Sequence, residues 1–355
     1  MNPFNIDGIV SGANYMPRKE AKTLLEYQQV GRNVLVLGPR RTGKSSLIVN
    51  TFSEQDYQLI RVDFWGVKTE EKAAEKIARA LSVFDKKPPG LTGLTVGAVG
   101  LSWTRSSAMN GVEETLRRIP ALHKKKPVVV FFDEFQCLMD LQNRDQFLGA
   151  LRSEIQAQSD ISYVFAGSNH QKLTEMFYAQ RNPFFKSAAQ IELGVMEQDA
   201  FSVWLNEKFV CSNRKVSSEL WNPIFSLVHS IPGDVQDVCY HLWNDSQEGD
   251  AIGAEQLERT IRKVIHERAA GYASIWGMLT DNQQRIALGV ALYSGEHYLS
   301  SEFIRLSGAT SSASIKRGLD SLSAKGVVWS CEGRWVFSDP FFALWIMNFS
   351  DVELS

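Results

Sequence analysis

The sequence predicts an α/β fold built on a parallel sheet, and three short runs of residues carry that expectation. They are Asn33-Val34-Leu35-Val36-Leu37, Val128-Val129-Val130-Phe131-Phe132 and Ile161-Ser162-Tyr163-Val164-Phe165-Ala166, each almost wholly apolar. A strand covered on both faces by crossover helices needs such a continuous pattern, whereas a half-exposed strand alternates. Each run breaks abruptly into small or polar residues at its carboxyl end, the edge at which open α/β sheets hold ligands. A later run, Ala189-Gln190-Ile191-Glu192-Leu193, adds another strand. A core of five parallel strands is the expected architecture.

The first run opens into Gly38-Pro39-Arg40-Arg41-Thr42-Gly43-Lys44-Ser45, which fits the phosphate-binding pattern G-x-x-x-x-G-K-[ST]. Apolar residues at helical spacing follow, from Ser45 to Phe52, so the loop stands between a strand and a helix. Its glycines let successive backbone N–H groups turn inward at the positive end of that helix. Lys44 is the expected partner of the outer phosphates, and Ser45 the expected ligand of a magnesium ion bridging them. Ser46 extends the candidate nucleotide contacts. The competing reading is an ordinary glycine-rich turn.

The second run ends in Asp133-Glu134. Two acids at the carboxyl end of a neighbouring strand divide the work of hydrolysis: Asp133 holds the magnesium, and Glu134 polarises the attacking water. The third run ends in Gly167-Ser168-Asn169-His170, where Ser168 and Asn169 are candidates to bond the γ-phosphate or that water. Arg181, in Arg181-Asn182-Pro183-Phe184-Phe185, is a candidate to stabilise transition-state charge on a neighbouring subunit's nucleotide. A structural arginine bonded to loop carbonyls is the alternative there.

The chain has 355 residues, enough for two or three domains with a real core. Its 38 basic and 40 acidic residues leave a net charge of -2, so no global field draws it onto nucleic acid or an anionic membrane. Cys137, Cys211, Cys239 and Cys331 are widely spaced and form no C-x-x-C pair, which favours free thiols. Neither a signal-like N-terminus nor a membrane-spanning run is apparent, and the cytoplasm is the expected location.

Together these motifs resemble the archaeal-type ATPases, within the signal-transduction and AAA-like P-loop ATPases related to the origin-recognition type. Gly38 to Ser45 looks like the family's Walker A loop and Val129 to Gln136 its Walker B segment. Tyr163 to Ser168 is similar to its sensor strand, and Arg181 to Phe185 to its arginine, proline and aromatic segment. Pro17-Arg18-Lys19-Glu20 resembles the box before the first helix, which implies that Arg18 lies near the nucleotide base. Ile231-Pro232-Gly233-Asp234 resembles the lid segment, implying Pro232 near the adenine. The resemblance implies ATP and magnesium as ligands and three regions: an ATPase core over 1–195, a helical lid over 196–276 and a winged helix over 277–355.

The last region reads independently as a helix-turn-helix with a wing. Gln284 to Leu292 and Ser301 to Leu306 are helical, Gly308-Ala309-Thr310 is a turn, and Ser311 or Ser312 caps a helix through Ile315, Leu319 and Leu322. Val327 to Ser330 and Arg334 to Phe337 flank a hairpin turn. Such a domain suggests double-stranded DNA, with Ser314, Lys316, Arg317 and Arg334 as contacts. From Asp281 onward, however, six basic residues face eight acidic ones, which argues equally for a winged helix used for packing on the ATPase core or on a protein partner, a second copy of the chain included. Residues 90–101 read as a hairpin insertion or a loop, and Lys124-Lys125-Lys126 as a solvated helix end.

The functional expectation is an ATP-hydrolysing switch whose nucleotide state controls the winged helix. The alternative is a nucleotide-gated scaffold with little turnover and no DNA contact. A GTPase lacks support because no N-K-x-D motif follows, and the Asp-Glu pair argues against a small-molecule kinase.

Overall fold

The apolar runs form strands whose successive side chains enter opposite apolar layers, which is why they carry no polar alternation. The computed structural model describes residues 1–84, 94–97, 100–103, 105–293, 297–331 and 333–353. These divide into two units, residues 7–194 and residues 1–6 with 195–355.

In the first unit, β1 (Val34–Leu37), β2 (Gln58–Asp63), β3 (Val128–Asp133), β4 (Ser162–Ala166) and β5 (Ala189–Glu192) form one sheet in the order β2-β3-β4-β1-β5. Every pairing in it is parallel. Leu35, Leu37, Val130, Phe132, Tyr163 and Phe165 enter one core layer, while Val34, Val36, Val129, Phe131 and Val164 enter the other. That two-residue alternation between two dry faces is what a doubly covered sheet requires. The second layer is closed by α1 (Glu20–Gln29) and α2 (Lys44–Ser53) through Leu24, Leu47, Ile48 and Phe52. The first is closed by α3 (Glu70–Ser82), α4 (Arg105–Leu116), α5 (Ile119–His123), α6 (Arg144–Gln156) and α7 (His170–Tyr178).

Because all five strands run the same way, the loops after β1, β3 and β4 emerge at one sheet edge. Phe135 anchors the loop after β3. Its ring stacks on Phe132 at 5.8 Å and meets Phe165 at 4.7 Å and Phe184 at 5.2 Å. The edge strand β2 has no apolar run and is not singled out by the sequence reading; its Ile60 and Val62 are buried while Arg61 and Asp63 are exposed. Leu94–Gly97 pairs antiparallel with Gly100–Trp103, as the hairpin reading of residues 90–101 expects, and residues 90–93, 98 and 99 lie outside those described.

The second unit contains the helical region, α8 (Gln198–Cys211), α9 (Trp221–Leu227), α10 (Pro232–Asn244) and the long α11 (Ala254–Gly277). It also contains α12 (Asp281–Leu292), α13 (Ser301–Ser307), α14 (Ser312–Ala324), the hairpin β6 (Val328–Cys331) and β7 (Arg334–Phe337), and α15 (Pro340–Glu353). Thr280 and Gln283 form a reciprocal capping box at the start of α12, and Ser300 and Ser311 cap α13 and α14. Gly308 ends α13 at φ 59°, the left-handed conformation a tight helix stop needs. Gly318 lets α14 approach α12: a Cβ there would lie 2.6 Å from Ile286 Cγ1. On α11, Tyr272 donates to Asp339 at 2.8 Å and packs its ring on Phe342, while Arg268 bonds Asp237 of α10 at 3.1 Å. One helix thus ties the helical region to the winged helix.

Ser314 is not the groove-facing residue the sequence suggests, because its hydroxyl donates to Asn282 Oδ1 at 2.7 Å. Lys316, Arg317 and Arg334 are exposed. Cys137, Cys211 and Cys239 are free thiols. Among the described residues no helix is long and apolar enough to cross a membrane.

Truncating Phe135 removes the contacts that hold the loop after β3. Phe135→Ala is expected to destabilise the first unit by about 3–5 kcal/mol in urea unfolding of the full chain. A loss under about 1 kcal/mol would show that the ring anchors nothing.

Candidate nucleotide site

The phosphate-binding loop turns where its glycines permit. Gly38 has φ 152°, and a Cβ there would sit 2.4 Å from the carbonyl oxygen of Leu193, just past β5. Only a residue without a side chain fits that approach. Thr42 closes the loop by donating to the Pro39 carbonyl at 2.8 Å. Arg41, at φ 64°, and Gly43, at φ 89°, complete the turn, and Arg40 is exposed. Gly43 is the N-cap of α2 and brings no side chain to its first turn, whereas Thr69 and Asn169 cap α3 and α7. The N-terminus of α2 therefore keeps uncapped N–H groups beside an open loop, the arrangement that takes phosphate.

Lys44 is buried and folds back over the loop, donating to the carbonyls of Gly38 at 2.7 Å and Pro39 at 2.6 Å. Burial pushes its ammonium pKa down to about 8, against the pull of the Glu134 and Asp133 charges. Ser46 points elsewhere: its hydroxyl accepts from the Val10 amide at 3.0 Å, and Asn50 donates to the Val10 carbonyl at 2.7 Å. Those two bonds strap the chain before α1 onto the phosphate-loop helix.

Asp133, only 5% exposed, ends β3. Its Oδ2 accepts from Ser45 Oγ at 2.8 Å and from Arg61 Nη2 at 2.8 Å, and its Oδ1 accepts from the Glu134 amide at 3.1 Å. Ser45 and Asp133, paired in the sequence reading by motif alone, are in direct contact. Arg61 is the residue that reading missed. It stands on the unremarked edge strand two residues from Asp63, whose register partner is Asp133.

Glu134 adopts φ 50° and ψ 40°, a left-handed conformation uncommon for a residue with a side chain. Its Oε2 accepts from Ser168 Oγ at 2.8 Å and from Gln136 Nε2 at 2.5 Å. Ser168, which the sequence offers as a contact of the γ-phosphate or the attacking water, bonds Glu134. Asn169 serves as the N-cap of α7, its carboxamide oxygen accepting from the Lys172 amide at 2.9 Å. Arg18 donates to the Gly194 carbonyl at 2.8 Å and pairs with Glu20, and its side chain is 8% exposed. Arg181 is exposed and makes no hydrogen bond or ion pair among the described residues. Pro232 is buried as the first residue of α10 in the second unit.

Residues 34–185 match the family model for the ATPase family associated with various cellular activities (AAA). The first unit carries an AAA ATPase domain. Residues 270–348 match the model described as "Probable winged helix domain", so the AAA domain is followed by a winged helix. Among solved structures, a Walker-type ATPase of Pyrococcus abyssi is similar at 18% identity, TM-score 0.69, over 97% of this chain and 99% of that one. The Aeropyrum pernix ORC1 protein in complex with DNA is similar at 12% identity, TM-score 0.54, over 96% and 94%. The ORC2 protein of the same organism, in ADPNP and ADP complexes, gives 12% identity and TM-score 0.55 over 96% and 97%. At such identities the likeness establishes the fold, an AAA core with a winged helix, as the motifs suggested. No curated protein matches the sequence.

The two loop glycines of the AAA domain answer to different constraints, which separate on substitution. Gly38→Ala, which drives a Cβ into the Leu193 carbonyl, is expected to abolish ATP binding and lower the melting temperature. Gly43→Ala meets no atom within 4 Å and should cost only the roughly 1–2 kcal/mol of its left-handed backbone. Equal effects of the two in paired ATP titrations and melts would contradict the close-approach account.

Proposed function

We propose that this protein is a magnesium-dependent ATPase acting as a switch, its nucleotide state controlling the winged helix. The observation that carries the reading is the meeting of Ser45 and Asp133 at 2.8 Å, with Glu134 as the next residue along the chain. A hydroxyl and a carboxylate side by side are a hard oxygen donor set, which fits magnesium, and the uncapped start of α2 beside them fits phosphate. Magnesium held by Ser45 and Asp133 would supply neutralisation of phosphate charge.

The remaining chemistry belongs to the chain. Loop amides from Gly38 to Ser45 bind phosphate oxygens, and Lys44 exchanges its two carbonyl partners for them. Such an exchange suits an ammonium whose burial already disfavours its charge. Glu134 takes the proton of the attacking water at its carboxylate, while Ser168 orients that carboxylate. Arg18 contributes to the base site. Arg181, exposed and free of bonds among the described residues, suits a transition-state contact to a second copy of the chain.

For the winged helix, the likeness to ORC1, solved in complex with DNA, supports a DNA partner. The excess of acidic residues from Asp281 onward supports a protein partner instead. Titration of the full chain with duplex DNA separates these. Binding that weakens steeply between about 50 and 200 mM salt, and falls on Lys316→Ala/Arg317→Ala, assigns DNA; its absence assigns a protein.

Hydrolysis is tested by Glu134→Gln. The variant is expected to keep ATP affinity and lose turnover by a factor of about 10²–10⁴, the usual worth of a general base. Equal turnover in wild type and variant would refute the assignment and favour a nucleotide-gated scaffold.

A further inference from the structure

Gln136 occupies a position for which the phosphate-site chemistry described so far has no use. It lies on the short 3-10 helix Phe135–Asp140 and is 5% exposed. Its Nε2 is 2.5 Å from Glu134 Oε2 and 3.4 Å from Ser168 Oγ. The amide orientation is fixed by chemistry: a carboxylate only accepts, so the nitrogen, and not the oxygen, must face it. The Gln136 oxygen then points at Gly167, where a Cβ would lie 1.7 Å from Oε1 and 2.8 Å from Cδ. No φ constraint demands glycine at 167, which is absent from the positive-φ residues. The demand is for space, and Gln136 fills that space.

These contacts have a directional consequence. Both donors, the Ser168 hydroxyl and the Gln136 amide, bind the same carboxylate oxygen of Glu134. The other oxygen, Oε1, accepts no hydrogen bond among the described residues. A carboxylate pinned through one oxygen and open at the other presents a single defined basic atom. A glutamate with three free torsions would otherwise spread its charge over many positions, and misplacement by about 1 Å costs up to about a hundredfold in rate.

We infer that Gln136 is a positioning residue for the Glu134 carboxylate, and that Gly167 is glycine in order to admit it. The inference rests on the hydrolytic reading of Glu134 and adds a residue to it. Gln136 touches no nucleotide atom in this account; it acts through Glu134. Its removal should therefore lower kcat and leave ATP affinity alone, a split that a folding defect or a lost nucleotide contact would not give.

The test uses the full chain with magnesium and ATP. Gln136→Leu keeps volume and removes the donor; kcat is expected to fall about tenfold with the affinity for a fluorescent ATP analogue within twofold of wild type. Gly167→Ala is expected to reproduce that loss, because its methyl displaces the amide. In a Gln136→Ala background the same Gly167→Ala substitution should change neither kcat nor melting temperature further. Wild-type kcat in Gln136→Leu, alongside inactive Glu134→Gln, overturns the positioning role while sparing the hydrolytic reading. Full turnover in Glu134→Gln overturns both. An additive melting loss for Gly167→Ala in the Gln136→Ala background overturns the role given to Gly167.

Discussion

The hydrogen bond between Ser45 and Asp133 is the contact on which the rest of the site depends. It joins the first turn of α2 to the end of β3, although β4 lies between β1 and β3 in the sheet. The bond exists because parallel strands deliver all their carboxyl ends to one edge, and because Gly38 turns tightly against Leu193 before α2 begins. Asp133 is buried, and a buried carboxylate is tolerated only when its lone pairs are filled. Ser45, Arg61 and the Glu134 amide fill them. Arg61 brings positive charge to Asp133, and the carbonyls of Gly38 and Pro39 hold Lys44.

Beneath the site, packing limits what the polar groups do. Glu134 sits in a left-handed conformation between Asp133, fixed by its three donors, and Phe135, fixed by its ring contacts. Strain of that kind persists where neighbours on both sides determine the backbone. The aromatic layer therefore bears on where Glu134 points, and the Ser168 and Gln136 donors set which of its oxygens is open. In the second unit a comparable economy appears in α11, whose Arg268 and Tyr272 join α10 to the start of α15. Motion of the winged helix relative to the helical region would break the Tyr272–Asp339 bond and the Tyr272–Phe342 ring contact together.

Much of this was legible in the sequence, for physical reasons. β1, β3 and β4 are buried on both faces and so appear as unbroken apolar runs, and the loop after β1 is a local turn whose glycines are written consecutively. The winged helix showed itself through caps and turns, which are also local. What was not legible depends on contacts between distant residues. Arg61 reaches Asp133 across 72 positions from an edge strand whose half-exposed pattern resembles a loop. Gln136 and Gly167 make sense only as a pair, 31 residues apart. Elsewhere a local demand captured a residue that the sequence offered to the ligand or the groove: Asn169 caps α7, Ser46 holds Val10 and Ser314 bonds Asn282.

The central claim is that Ser45 and Asp133 form one half of a magnesium and phosphate site. Calorimetric titration of the full chain with ATP, with magnesium and then with the metal chelated, tests it most directly when wild type and Asp133→Asn are compared. The account predicts that magnesium tightens ATP binding to the wild type by about tenfold or more, and that Asp133→Asn loses this gain while still binding metal-free ATP. ATP affinity indifferent to magnesium in the wild type, or a full magnesium gain in Asp133→Asn, would contradict it.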